Sequence, residues 1–504
     1  MKKIRNYSAI TAHGDVPARK MVLDLMDRVL QEVDSYQRIR DVMHVEGNVL
    51  HVGVKSWNLE SKRNIYLLGA GKACNAMAQA VCDVLGERIT KGIICVKIKE
   101  EQDHYCNTDV YVGGHPLPNE EGMLAAQKMI DLILQAKPED LFISVCSGGS
   151  SALLTYPIEG ITLEDEIKTQ DMLLRSGAKI LEINAVRRHI SRTNGGRLAE
   201  LICHKIGAEL ISFQISDAVG KKESKDRALP AEFHGTPFGG DQTTIQNARE
   251  MIINYDLRET LPQSVVSYLF DDSRAQETPG DIAPDKMTTF LMGNLADSCT
   301  AAKHAAQEMG VPCMVLTTFL EGESSEAGLF LTSLAREIKY NERPIAAPCF
   351  VVCAGETTCS VDKARGVGGP SQELTLGASI GLRGMNGVAI ASIDTEGTDG
   401  PTIYAGGIVD GTTFDAVEQS GENVYEALRY HYSGNVLERV QDSIFTGKQG
   451  RCVLDYKKRA EGSRRCGSIC IFYSRSALAS RENYGRICLQ NGKTACRPGQ
   501  CLPW

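Results

Sequence analysis

The sequence predicts an α/β protein with a large parallel sheet covered by helices on both faces and a second, smaller α/β domain. Short apolar runs that suit buried strands alternate with segments of helical periodicity along most of the 504 residues. Several of these runs end in glycine-rich turns, and open α/β folds bind ligands at the carboxyl ends of their parallel strands. A chain of this length exceeds one compact core, so we expect at least two domains.

The composition narrows the class of protein. Hydrophobic residues make up 42% of the chain and charged residues 23%, as in soluble globular proteins. The formal net charge of −8 argues against general nucleic-acid binding. No apolar stretch approaches the ~20 residues that span a bilayer, and residues 1–17 lack the apolar core of a secretory signal. We therefore expect a cytoplasmic protein without a membrane partner, whose cysteines before residue 450 are small core residues.

The first half of the chain contains the elements of a parallel sheet. An amphipathic helix is predicted over 16–33, with Pro17 near its start. Asn119 is a suitable N-cap for a helix with an acidic first turn. The predicted strands are 66–69, 93–96, 141–146 and 210–215, and the predicted helices are 72–85, 120–135 and segments within 163–189. This alternation indicates a sheet covered on both faces.

The second half repeats the alternation after two polar loops. The first loop covers 221–244, and a boundary near residue 240 is predicted there. A helix over 245–255 and a loop over 271–285 follow. Further strands are predicted at 289–292, 313–316, 349–353 and 388–393, and helices at 296–308 and 326–340. The predicted division is therefore 1–240, 241–447 and a tail of 448–504.

The tail differs from the rest in composition. Between Lys448 and Trp504 the chain has 12 Lys and Arg, 3 Asp and Glu, and 6 of its 17 cysteines. Apolar periodicity largely disappears there. A basic interaction tail and a metal module are two explanations, although no C-x2-C pair has a matching partner. Our preferred hypothesis is a frameshifted carboxyl terminus, because several features change together at one point.

Two glycine-rich turns carry the clearest indications of phosphate chemistry. Gly69 and Gly71 let the chain turn sharply off a strand, and Lys72 is a mobile positive charge beside the amino end of the next helix. A plain β–α turn with a solvated lysine is the alternative. The second turn consists of five consecutive small residues that leave room for a ligand at the backbone: Ser147, Gly148, Gly149, Ser150 and Ser151. Since the G-x-S-x-G elbow of serine nucleophiles is absent, anion binding is the better interpretation.

Charged residues near the other turns complete the candidate set. Arg187 and Arg188 precede a glycine turn at 195–196, where arginine suits carboxylate or phosphate; a solvated basic helix end is the alternative. Asp217 follows a strand as a metal-facing or substrate-facing carboxylate. Mg²⁺ needs only one or two carboxylates besides phosphates and water. Further oxygen ligands stand at Glu356, Asp394, Glu396 and Asp399.

Nine motifs stand in one order across about residues 15–447. They are Gly69–Ala73, Gly114–Asn119, Ser147–Leu153, Asn184–Arg188 with Gly195–Leu198, Ser216–Asp217, Gly293–Asn294, Gly355–Thr358, Gly368–Glu373 and Thr398–Thr402. In these residues and this order the chain resembles the type-2 glycerate kinase family.

The resemblance implies a large amino-terminal Rossmann-like domain with a parallel sheet, a smaller carboxyl-terminal α/β domain of the MOFRL type, and an active site in the cleft between them. It implies phosphoryl transfer from ATP to D-glycerate at the 2-hydroxyl, with Mg²⁺ or another divalent cation whose ligands are unassigned. The implied catalytic residues are Lys72, Arg187 and Asp217, and the implied substrate-binding residues are Lys72, Arg187, Arg188 and Asp399. The implied nucleotide-binding residues are Gly69, Gly71, Ser147, Gly148, Gly149, Ser150, Ser151, Gly293, Asn294, Gly355, Glu356 and Thr357.

Several positions depart from the family pattern. Pro370 stands where many relatives have an arginine that faces the active site, and Ile403 where an acid is frequent. The stretch 235–237 replaces a Ser-Gly-Pro-Thr element. After Gly447, the residues 448–452 replace the family's usual continuation. If the closing strands were lost, backbone groups at a sheet edge would be left unpaired, at about 1–3 kcal/mol for each one buried.

Two other functions are consistent with some of these features. A hydroxypyruvate reductase would use the glycine turns for a dinucleotide, but Gly69–Lys72 lacks the third glycine and an acid ~20 residues later. A catalytically inactive nucleotide-binding protein would explain Pro370 and the tail. The expected partner is a small sugar acid, with no nucleic acid and no membrane, and a homodimer is the candidate assembly.

Overall fold

The computed structural model describes residues 2–99, 105–178, 180–216, 219, 226–361, 364–447 and 462–475. Its strands form two six-stranded sheets and one three-stranded sheet. The strands are β1 Met43–Glu46, β2 Val49–Val52, β3 Lys55–Asn58, β4 Ile65–Gly71, β5 Lys91–Val96, β6 Thr108–Val112, β7 Leu141–Cys146, β8 Glu209–Ile215, β9 Met287–Gly293, β10 Cys313–Leu320, β11 Cys349–Val361, β12 Val388–Asp394, β13 Gly406–Asp410, β14 Ser443–Ile444 and β15 Gly462–Ser474.

Helices connect and cover these strands. They are α1 Tyr7–Ile10, α2 Val16–Glu32, α3 Ser35–Val42, α4 Cys74–Leu85, α5 Glu120–Leu134, α6 Ser150–Leu153, α7 Leu163–Arg175, α8 Ile180–His189, α9 Arg197–Glu200, α10 Ile245–Asn254, α11 Gln263–Leu269, α12 Leu295–Glu308, α13 Ser324–Asn341, α14 Pro370–Leu382, α15 Thr413–Gln419, α16 Val424–Arg429 and α17 Ser433–Arg439. Leu59–Ser61 and Gly86–Arg88 are 3₁₀ turns, and Leu201–Ile206 is a π-helix.

The first large sheet has the strand order β6-β5-β4-β7-β8-β9, and all of its pairs are parallel. Every residue of β4 and β7 is buried, as expected when helices cover both faces of a parallel sheet. The predicted parallel sheet is therefore confirmed. Because β9 pairs with β8, this sheet continues beyond residue 240. The division of the chain into domains at that residue stays a prediction.

The second large sheet has mixed strand directions, unlike the all-parallel first sheet. Its order is β10-β11-β15-β12-β13-β14, and only β10 and β11 pair in parallel among its described strands. β11 also continues past the predicted end at Cys353, since β15 pairs with it from Cys349↔Ser474 to Val361↔Gly462. A glycine-rich turn is predicted at 354–358, directly after the predicted strand 349–353. This prediction is wrong, because continuous pairing on β11 keeps the segment extended.

β15 comes from the compositionally unusual tail. It lies between β11 and β12 and pairs antiparallel with both, and its residues Ile469, Ile471 and Phe472 are buried. The edges of β11 and β12 that face each other are thus paired. The rest of the tail, 448–461 and 476–504, lies outside the described residues, so the frameshift hypothesis stays a prediction.

The predicted opening helix is confirmed as α2. The Asp15 side chain accepts a hydrogen bond from the amide of Ala18, and Pro17 lies in the first turn, where no amide donor is needed. Its apolar face joins the core of the second large sheet: Val22 and Met26 share one cluster with Ile471. An early helix, α2, therefore packs on the second large sheet, although the strands of the first large sheet follow it directly in sequence.

The cysteines that the structure describes are free thiols, and most of them are buried, as predicted. Burial raises the pKa of Cys95 to about 12, so this thiol stays protonated and packs as a small apolar group. Within the described ranges, no helix combines the length and the apolar character needed to cross a bilayer.

Candidate active site

The carboxyl ends of β4 and β5 face the loop that follows β12. The ammonium Nζ of Lys72 lies 3.0 Å from Oε2 of Glu396 and 3.6 Å from Oδ2 of Asp394. Beside it, Nζ of Lys97 donates to Oγ1 of Thr398 at 2.8 Å and to the carbonyl of Gly400 at 3.1 Å. Two lysines of the first large sheet thus contact one loop of the second. The predicted cleft lies between these groups.

The two glycine-rich turns are joined by hydrogen bonds. The amide of Lys72 donates to the carbonyl of Gly148 at 3.0 Å, and the amide of Ala73 donates to Oγ of Ser147 at 2.9 Å. Gly71 has a φ of 136°, and a Cβ there would lie 2.3 Å from Oγ of Ser147. Only glycine therefore fits at this position. The turns form one unit at the start of α4, where amide groups favour an anion.

A histidine without a predicted role lies against the second turn. Gly149 has a φ of 81°, and a Cβ there would lie 3.0 Å from Nε2 of His115 and 3.2 Å from Cγ of Lys72. His115 as a whole residue is half-buried. Burial lowers the pKa of His115 well below its usual value, and the positive charges of Lys72, Lys97 and Arg187 lower it further. The ring is therefore neutral near pH 7.

Arg187 is one of the positive charges near His115. A buried chain of hydrogen bonds from Glu166 through Gln170, here called the relay, holds its guanidinium. Its Nη2 donates to Oε1 of Gln170 at 2.7 Å and to the carbonyl of Pro116 at 3.4 Å. Nε2 of Gln170 in turn donates to Oε1 of Glu166 at 3.0 Å. Burial raises the pKa of Glu166 to about 7. The spacing of Glu166 and Gln170, four residues apart on one buried helix face, was the sequence signal for this pair.

Arg188 points to a different partner. Its Nη1 donates to Oδ1 of Asp241 at 2.8 Å. Since the carboxylate of Asp241 is fully buried, this ion pair ties α8 to the loop that precedes α10. Both arginines were predicted to bind the substrate. Only Arg187 is among the charges that lower the pKa of His115.

Asp399 supports the start of α14. Its carboxylate accepts hydrogen bonds from the amides of Ser371 at 3.2 Å and Gln372 at 2.8 Å, and it is fully buried. Burial raises its pKa to about 7, and Asp394 adds to the rise. Pro370 begins the helix, where a missing amide donor costs nothing. The substrate-binding role of Asp399 stays a prediction, and its observed contacts are those of a helix cap.

A cavity of about 790 Å³ adjoins the start of α4. Asn294 caps α12 by accepting a hydrogen bond from the amide of Asp297, and a Cβ at Gly293 would lie 2.2 Å from Nη1 of Arg38. The residues that line the cavity include Tyr36, Ala73, Ser216, Gly293, Asn294 and Glu396. The predicted nucleotide-binding pair Gly293 and Asn294 is thus brought to the same space as Glu396, the partner of Lys72.

Other predicted residues lie elsewhere. Gly355, Glu356 and Thr357 lie within β11, and Oγ1 of Thr357 accepts a hydrogen bond from Ser324 at 2.9 Å. A Cβ at Gly355 would lie 2.0 Å from the carbonyl oxygen of Leu320, so this glycine permits close packing of β10 on β11. Asp217 lies outside the described residues. The nucleotide-binding role of the β11 residues stays a prediction without a turn to support it.

Known proteins resemble both halves of this chain. A family described as a domain of unknown function, DUF4147, matches residues 21–270, and the MOFRL family matches residues 349–455. Glycerate 2-kinase of Pyrococcus horikoshii is 36% identical over 434 residues, which cover 86% of this chain and 94% of that protein. D-glycerate 2-kinase of Thermotoga maritima is 35% identical, over 78% of this chain and 89% of that protein.

A solved structure agrees with these relatives. The crystal structure of a glycerate kinase from Thermotoga maritima superposes with a TM-score of 0.65 at 30% identity, covering 89% of this chain and 97% of that one. A protein of Agrobacterium vitis with the name putative hydroxypyruvate reductase is 30% identical, over 76% of this chain and 95% of its own length. Similarity thus extends over both large sheets and the cleft between them.

Proposed function

Because this chain belongs to the type-2 glycerate kinase family, we propose that it transfers the γ-phosphoryl group of ATP to the 2-hydroxyl of D-glycerate. One structural observation carries the proposal beyond family membership. The joined glycine turns place the ammonium of Lys72 and the first amides of α4 at one point of the cleft. This combination suits a phosphoryl group, since amides and a lysine stabilise charge on its oxygens.

The nucleotide would occupy the cavity beside α4. Its volume of about 790 Å³ is in the range of small-molecule binding sites. Tyr36, Ala73 and Glu396 are among the residues that line it. The triphosphate would then point to the start of α4, where the helix dipole favours negative charge. Adenosine would lie towards Gly293 and Asn294.

The acid substrate would lie on the other side of Lys72. The charges of Lys97 and Arg187 reach His115 and lower its pKa, so these side chains would serve the same region of the cleft. A planar guanidinium suits a carboxylate, and Gln170 holds Arg187 in one orientation. The carboxylate of D-glycerate would bind to Arg187, leaving its 2-hydroxyl beside the imidazole of His115 and the ammonium of Lys72.

A divalent cation fits the opposite wall of the cleft. Asp394 and Glu396 are buried carboxylates, and Oδ1 of Asp394 accepts a hydrogen bond from the amide of Glu396 at 2.8 Å, which fixes the loop. Carboxylate oxygens are the ligands that Mg²⁺ takes beside phosphates and water. We assign the metal to these two residues. When bound, Mg²⁺ would neutralise phosphate charge.

The chain's own residues then supply position and charge. Lys72 can follow the phosphoryl group because its stem is flexible and its ammonium is mobile. The contacts of Lys97 with the loop at 398–400 hold the two sheets together across the cleft and limit the access of water. Free, buried thiols suit a reducing compartment, and we propose the cytoplasm as the location.

The proposal is tested by turnover of the purified chain. ATP and D-glycerate should give ADP in a coupled assay, and ³¹P NMR should identify 2-phosphoglycerate as the product. L-glycerate serves as the matched substrate control. Oxidation of NADPH or NADH with hydroxypyruvate, in the absence of ADP formation from glycerate, would establish the reductase instead. ATP binding without turnover on any small hydroxy acid would indicate an inactive homologue.

A further inference from the structure

His115 is a neutral side chain on which three cations of the cleft act. Its ring lies against Gly149 and shares that contact with the stem of Lys72. Within the part of the chain that the structure describes, neither of its ring nitrogens has a hydrogen-bond partner. An imidazole on a half-buried residue, with both ring nitrogens available, can hydrogen-bond a ligand that enters the cleft.

The other groups near the cleft are committed elsewhere. Glu396 and Asp394 contact the ammonium of Lys72. Asp399 is fully buried and caps α14. Each of these carboxylates is therefore poorly placed to receive a proton beside Gly149. The imidazole of His115 is a proton acceptor on that side of Lys72.

We propose that His115 is the catalytic base, which hydrogen-bonds the attacking hydroxyl of the acid substrate and receives its proton. The inference rests on the function proposed above. In the step, the hydroxyl oxygen forms a bond to the γ-phosphorus, the bond from that phosphorus to the β–γ bridging oxygen breaks, and ADP leaves with the electron pair. The proton of the hydroxyl passes to a ring nitrogen of His115 and is later released to water.

Substrate charge makes this base effective. The charged groups that act on His115 are Lys72 after β4, Lys97 after β5 and Arg187 on α8, and all three oppose its protonation. A bound carboxylate and triphosphate bring negative charge to the same cations. The imidazole should thus accept a proton more readily in the ternary complex than in the free enzyme. The acidic limb of kcat should lie at higher pH than that of kcat/KM.

The test compares wild type with His115→Gln in the full chain, using ATP, Mg²⁺ and D-glycerate. Glutamine keeps a hydrogen-bonding group but does not accept a proton. We expect kcat to fall by about 10²–10⁴-fold with a change of only a few-fold in KM, and the acidic limb of kcat to disappear. His44→Gln, at an exposed histidine on β1 of the three-stranded sheet, should match wild type.

Retention of kcat within about fivefold, or an unchanged acidic limb in His115→Gln, would overturn the assignment. If that variant fails to fold, His115→Ala replaces it and is assayed with and without added imidazole. Restored turnover that depends on neutral imidazole supports the base, and no restoration overturns it. Wild-type turnover of glycerate is measured in the same series. Its absence would count against the proposed function, whereas an active wild type isolates the role of His115.

Discussion

Nζ of Lys72 and Oε2 of Glu396 lie 3.0 Å apart, although the two residues belong to different sheets. In a cleft that receives a nucleotide, this carboxylate lies where a phosphate oxygen would contact the same ammonium. Both side chains are nearly inaccessible to solvent. The electrostatic attraction between them is therefore less screened than that of a surface ion pair. Nucleotide binding must replace or share this contact.

Lys72→Ala should lower kcat by about 10²–10³-fold, because one donor to the transferring phosphoryl group is lost. The fold should persist, since the backbone amides of the joined turns are unchanged. Steady-state kinetics and the thermal midpoint check the two statements. Lys20→Ala, at an exposed position of α2, is the control. Near-normal turnover in Lys72→Ala would remove this lysine from the mechanism.

Arg187→Ala should mainly raise the KM for D-glycerate, by about tenfold or more, because a charge-assisted contact to the carboxylate disappears. Arg188→Ala is the matched comparison on the same helix. Since Arg188 pairs with buried Asp241, its loss should lower thermal stability without a selective effect on this KM. An unchanged KM in Arg187→Ala would assign that arginine to structure.

Glu166→Gln should change how stability depends on pH. The pKa of Glu166 is about 7 in the folded protein and about 4.3–4.5 in the unfolded chain. Between these values the folded state binds more protons, so wild type loses stability as pH rises from about 4.5 to 7. Glutamine keeps the neutral form at every pH. The free energy of unfolding of the variant, relative to that of wild type, should therefore rise by about 2–3 kcal/mol between pH 5 and pH 8.

Urea unfolding of both proteins at several pH values measures this difference. The other titrating groups are common to both proteins and cancel. A difference that stays constant with pH would show that Glu166 is ionised in the folded protein. Kinetics on the same variant are a separate readout of the relay, because Gln170 should still hold Arg187.

Arg19→Ala should destabilise the protein by about 3–5 kcal/mol. The guanidinium is fully buried, and it donates to Asp410 at 2.5 Å through Nε and to Asp442 at 3.1 Å through Nη2. Its removal leaves two buried carboxylates without their cation. Arg28→Ala on the same helix is the control, because its pair with Glu308 is exposed and should contribute about 0–1 kcal/mol. Equal denaturation midpoints for the two variants would contradict this account.

Local sequence patterns were sufficient to predict most strands of the first sheet and part of the candidate site. The run at 141–146 is β7 without change, and Asn119 caps α5 as expected. The joined turns were visible because glycine and small residues after an apolar strand are a local signal. The contacts of Lys72 with Glu396 and of Lys97 with Thr398 join segments about 300 residues apart, and no local pattern encodes such a distance.

The second sheet shows why the turn predicted at 354–358 is absent and why β15 was missed. Gly355 interrupts an apolar run and favours a turn, but pairing with β15 on one side and packing against Leu320 on the other keep the strand extended. The apolar segment 469–473 of β15 was hidden among arginines and cysteines. His115 received no role because its neighbours, Lys97 and Arg187, come from other strands and helices.

The position of β15 between β11 and β12 constrains how the chain folds as it is synthesised. α2 is made early and β15 late, yet Val22 and Ile471 share one core. On the ribosome, β11 and β12 therefore emerge before β15, which pairs with both of them. Until β15 is made, part of the apolar face of α2 lacks its packing partner. Such a nascent chain should bind chaperones until residue 474 has left the exit tunnel.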